Sequence, residues 1–220
     1  MKKRAFDTWE YEEIELTFGT ERVKKHPLLL SWEKAQYTIP EPYQTLLYHY
    51  QELLIDNADA WNEDELKFFF ISPLIGLVSY ETPHYKPFTQ RNLSASFPEF
   101  DLEISGRVEF MLAKGKQHPR QPFFFLHERF AARYKQERRR DNDPLGQLLI
   151  SMLAAQQRNQ ADFPLYGSFV TGRFWFFVVL EGTQYDVSLA YDATQTNELH
   201  QIFAMLQKIK ELIAIQHAVA

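Results

Sequence analysis

Gly106-Arg107-Val108-Glu109-Phe110-Met111-Leu112, Pro122-Phe123-Phe124-Phe125-Leu126-His127-Glu128 and Asp143-Pro144-Leu145-Gly146-Gln147-Leu148-Leu149 decide how this chain is read. The first belongs to short alternating runs, Phe97 to Ser105 and Arg107 to Lys114, which around Ser105-Gly106 predict a hairpin. The second, Pro122 to Phe130, is nearly all apolar, as in a central strand covered on both faces that emerges at His127-Glu128-Arg129. The third opens with a cap-plus-proline start, and Leu148, Leu149, Met152, Leu153 and Ala155 carry a helix to about Asn159.

Outward from this segment the two ends differ. Toward the N-terminus the spacing predicts helices over Trp9 to Phe18, Leu28 to Ala35 and Pro42 to Ile55. A fourth begins at Asn62, where Asn62-Glu63-Asp64-Glu65 has the form of a capping box, and Pro73 should kink or end it. Toward the C-terminus, Tyr166 to Val170, Phe174 to Leu180 and Tyr185 to Leu189 predict strands, and Leu199 to Ala218 a closing helix with Ile202, Met205, Leu206, Ile209, Leu212 and Ile213 on one stripe. The fold class expected is α/β or α+β, one central mixed sheet flanked by helices. A single domain over 1–220 is expected, with a helical N-terminal extension (1–60), a core (62–191) and a C-terminal helix (195–220).

Composition narrows the chemistry. The 220 residues contain no cysteine, which excludes disulfides, a thiol nucleophile and thiolate metal ligation. With 45% hydrophobic side chains there is enough apolar material for a real core. No apolar run approaches the ~20 residues that cross a bilayer, and no secretory signal follows Met-Lys-Lys-Arg, so a cytoplasmic protein without a membrane partner is expected. The net charge of −5 conceals a division. Between Lys114 and Arg140 nine basic residues meet only Glu128 and Glu137, so that window carries +7 and the remainder −12. Such a window is either a solvated loop or a surface aimed at phosphate.

There is no glycine-rich phosphate loop, HExxH pair or GxSxG elbow. The order of parts from Asn62 to Tyr191, however, resembles the PD-(D/E)XK nuclease superfamily, the restriction-endonuclease-like fold. A core helix is followed by a meander with Glu109 on its second strand and Glu128 on its third. The Gln147 helix comes next, and then the strand-turn-strand Tyr166 to Phe177. The resemblance implies a metal-dependent phosphodiesterase with Mg²⁺ or Mn²⁺ on Glu109 and Glu128, and Gln147 supporting the site. Its nucleic-acid partner, DNA before RNA, would be held by Arg129, Arg133, Arg138, Arg139 and Arg140. Oligomeric state is left open.

The chemistry behind this implication is general. A hard divalent cation activates water and neutralises charge building on a phosphoryl group, and a lysine beside it orients or deprotonates that water. The carboxylate-x-Lys spacing places both groups on one face of a strand. Here the chain departs from the family, because the residue two beyond Glu128 is Phe130. Arg133 and Lys135 are the candidates to reach back, and Lys135 is the expected substitute. Glu65 matches the family's helical acid, but its capping-box role with Asn62 explains it without any catalysis, and the cap is the preferred reading. The departure at Phe130 motivates a second expectation, a nuclease-fold module that binds nucleic acid or a protein partner without catalysis.

Overall fold

A computed structural model describes residues 1–130, 143–159 and 163–219. Three consecutive strands organise it. β3 (Lys86–Phe97), β4 (Leu102–Lys114) and β5 (Arg120–Phe130) form an antiparallel meander, with β3 in register along β4 from Lys86↔Ala113 to Phe97↔Leu102. α6 (Pro144–Asn159) then crosses over to β6 (Leu165–Thr171), which lies parallel to β5. β7 (Phe174–Glu181) and β8 (Gln184–Val187) continue antiparallel. The N-terminal β1 (Lys2–Ala5) joins β4 in parallel, and the short β2 (Glu21–Arg22) and β9 (Tyr191–Asp192) complete a nine-stranded mixed sheet among the described residues.

Helices cover both faces. One layer contains α2 (Pro27–Glu33), α3 (Glu41–Asn57), α5 (Ser72–Val78) and α7 (Thr196–Val219), packed through Trp32, Leu54, Leu74 and Phe203 onto Phe125, Trp175 and Phe177. The other contains α1 (Tyr11–Phe18) and α6, whose Leu148, Leu149 and Met152 meet Met111, Leu126 and Val178. β5 therefore has helices on both sides, and Phe123 through Glu128 are all buried, as its apolar run requires. The architecture is α+β, a mixed sheet between helices. No helix among the described residues is long and apolar enough to cross a membrane.

One local expectation is corrected and another is narrowed. Ser105-Gly106 is not a turn, since β4 runs through it unbroken and the chain reverses instead at Pro98–Phe100, ending on Asp101 with φ +52°. Gly106 is explained by packing: a Cβ there would stand 2.3 Å from Cδ2 of Phe6, itself fully buried. Pro73, expected to kink or end its helix, does not end it. α4 (Glu63–Leu66) continues through a π-helical stretch, Lys67–Ile71, into α5. A proline has no N–H to give the preceding turn, and the wider π turn absorbs the defect.

The helix starts behave as their sequences indicate. Asn62 Oδ1 accepts from the backbone N–H groups of Asp64 (2.9 Å) and Glu65 (3.0 Å), while Glu65 Oε2 accepts from Asn62 N at 2.7 Å. Glu65 therefore serves as a cap. Asp143 begins α6 through its carbonyl, which accepts from Gln147 N at 2.9 Å, but its carboxylate is used elsewhere. Asp143 Oδ2 accepts from Tyr11 N at 2.7 Å and so caps the first residue of α1. That bond ties the two helices of one layer together.

Candidate functional site

The place where β4 and β5 part company brings the candidate carboxylates near one another in the sheet. Pairing between them ends at Phe110↔His127. Beyond that point β4 exchanges its partner, pairing with β1 over Leu102–Ser105, while β5 stays in register with β6 as far as Phe130↔Thr171. The strands thus form a fork, and Glu109 and Glu128 are each the first residue past the last pair. Fork geometry of this kind leaves backbone and side-chain groups without a neighbouring strand to cover them.

The two carboxylates have different surroundings. Glu109 lines a cavity of about 350 Å³ between α5, β3 and β4, whose walls include Ile75, Tyr80 and Phe110. Its Oε2 accepts from Lys67 Nζ at 2.6 Å, and both side chains keep partial exposure, 21% for Glu109 and 28% for Lys67. Glu128 is completely buried. It stands in register with Phe169, which packs in the α6 layer, whereas its neighbour His127 lines the cavity. Glu128 is not among the residues that line the cavity beside Glu109.

His127 forms part of the cavity floor. Its Nδ1 lies 2.7 Å from Ser168 Oγ, and its ring stacks on Trp175 with centroids 5.3 Å apart. Above it, Tyr80 donates its hydroxyl to the Leu206 carbonyl at 2.7 Å, and burial pushes its phenol well above the usual range, so it remains neutral. Gln147 occupies the first turn of α6, half-buried. Ser151, one turn on, is buried and returns its hydroxyl to the Leu148 carbonyl at 2.7 Å.

The fork thus adjoins Glu109, Glu128 and His127, while Gln147 belongs to the covering helix. Arg129 and Phe130 are placed by their backbone pairing with Val170 and Thr171. Arg133, Lys135, Arg138, Arg139 and Arg140 lie outside the described residues. Lys67, one of the described residues, brings a cation to a candidate carboxylate, and sequence reasoning missed it. It lies 42 positions from Glu109 and in no recognisable motif.

Carboxylates are the right kind of donor for Mg²⁺ or Mn²⁺. Glu109 is paired with Lys67 and lines the cavity, whereas Glu128 is buried and is not among the cavity's lining residues. Among the described residues no three His, Asp or Glu side chains gather into a group that could hold a metal ion. The arrangement offers instead an ammonium–carboxylate pair at the mouth of an apolar-walled cavity. No family model matches the chain, and no curated protein is similar to it.

Proposed function

We propose that the chain is a domain of restriction-endonuclease-like fold that engages the phosphodiester backbone of nucleic acid at the β4–β5 fork. The observation that carries this reading is the position of the fork. Both motif carboxylates stand one residue beyond the last β4–β5 pair, on the second and third strands of a meander that leads through a crossover helix to a parallel strand. The order of elements agrees with the resemblance read from the sequence. The division of charge supports the choice of partner, because the +7 window from Lys114 to Arg140 begins at the end of β4 and encloses β5.

A second reading is metal-dependent phosphodiester hydrolysis, with Mg²⁺ or Mn²⁺ on Glu109 and Glu128 and with Gln147 and Lys135 assisting. Retention of both carboxylates at the fork favours it. When bound, the ion would supply an activated water and neutralise phosphate charge. The protein's own contribution would be to hold Glu109 in place through Lys67 and to keep the sheet side dry with Phe110 and Tyr80.

Incubating the full chain with labelled single- and double-stranded DNA and RNA, with and without Mn²⁺, separates the readings. Salt-sensitive binding without turnover supports the first. Cleavage that stops with chelator and after Glu128→Ala supports the second. Absence of both binding and cleavage, at low salt and with each nucleic acid, refutes a nucleic-acid function.

A further inference from the structure

We propose that Lys67 is a resident cation of the fork, and that its ammonium contacts a nucleic-acid phosphate at the place where the resemblance implies a metal ion. The inference rests on the nucleic-acid reading above and deepens it, since it names the group that meets the backbone. Three observations converge on this residue. Lys67 Nζ is 2.6 Å from Glu109 Oε2, the first β4 residue past the fork. It is the only lysine or arginine that lines the cavity among the described residues. Finally, the motif's own lysine position, two beyond Glu128, holds Phe130, which has no proton to donate and no charge to offer a phosphate.

The local backbone explains how a helical residue serves a strand site. Lys67 opens the π-helical stretch Lys67–Ile71, the irregular turn between α4 and α5 that precedes Pro73. Such turns rotate side chains out of α-helical phase and recur at functional sites. The pair also solves an electrostatic problem, because a lone carboxylate at the fork would repel phosphate. An ammonium has three donors and the bond to Glu109 uses one, which leaves donors for an incoming oxygen. Both residues keep enough exposure for a ligand to reach them.

The test is binding of the full chain to a fluorescein-labelled DNA duplex and single strand, by anisotropy in EDTA, from about 50 to about 200 mM salt. Wild-type protein binds without metal. Lys67→Ala and Lys67→Gln weaken binding about tenfold, the loss expected for one charge-assisted hydrogen bond. They also lower the magnitude of the salt slope by about one, as removal of a single phosphate contact should. Lys67→Arg retains most of the affinity. Glu109→Gln tightens binding, because it removes a like charge and releases the ammonium; a merely structural ion pair would give no such opposite sign. If wild-type protein binds but the Lys67 variants match it in affinity and slope, the inference fails while the nucleic-acid reading survives. It fails in the same way if binding requires added Mn²⁺. If wild-type protein binds no nucleic acid, the reading fails and the inference falls with it.

Discussion

Gly146 and Gly76 are both helical glycines, and they describe opposite sides of the same sheet. A Cβ on Gly146, in the first turn of α6, would stand 2.5 Å from the carbonyl oxygen of Trp9 and 2.9 Å from Tyr11 N, both backbone atoms. A Cβ on Gly76, in α5, would meet nothing within 4 Å. The α6 layer approaches its neighbours to backbone contact, fixed further by the Asp143–Tyr11 bond. The α5 layer stands off, and the space it leaves is the cavity beside Glu109. Close packing on one side stabilises the sheet, and the looser side can admit a ligand.

Substitutions at these positions should separate the two sides. Gly146→Ala should cost about 3 kcal/mol, the upper range for overpacking, because the opposing atoms are backbone and cannot rotate away. Denaturant unfolding would read it, and a loss below about 1 kcal/mol would mean that α6 can slide and the contrast is false. On the looser side, Asn62→Ala should cost about 1 kcal/mol, the usual value of an N-cap, and fray the turn that leads to Lys67. Gly76→Ala should instead stabilise by about 0.5–1 kcal/mol through helix propensity, raising the melting temperature by a few degrees. A melting temperature lowered by that change would show that the cavity wall is tighter than the contrast requires.

The smallest effect concerns acid. Arg4 holds the Glu13 carboxylate by hydrogen bonds and lies over the Trp9 ring at 3.7 Å, and those bonds lower the Glu13 pKa. A carboxyl with a depressed folded-state pKa contributes stability that is complete above its unfolded value and is lost as pH falls through the folded one. Glu13→Gln should therefore flatten the acid limb of the stability profile slightly and leave the alkaline limb unchanged. Because Glu13 is half-exposed, solvent keeps this effect small.

Much of the fold was legible wherever one local rule determined it. Asn62-Glu63-Asp64-Glu65 encodes its capping box in four consecutive residues, and Asp143-Pro144 marks the start of α6. The apolar run of β5 needs helices on both sides, and it has them. Where the decisive contact is distant, local reading fails. Gly106 reads as a turn residue because Phe6, one hundred positions away, is invisible to a window around it. β3 escaped notice because Lys86–Phe97 mixes exposed polar positions with a proline and pairs along β4 on only one edge. At the site, Glu109 and Glu128 were singled out by the order of parts, and they flank the last β4–β5 pair. Lys67 was not singled out, since its position depends on the phase of a π turn that no sequence period announces.

Hydrogen exchange of the full chain, with and without a saturating DNA oligonucleotide in EDTA, tests the central claim most directly. The account predicts slowed exchange in 67–76 and 106–110, the two segments that flank the cavity mouth, with α6 amides in 147–158 unchanged. Protection confined to α6, or no protection at any segment while binding is saturated, would contradict a nucleic-acid site at the β4–β5 fork.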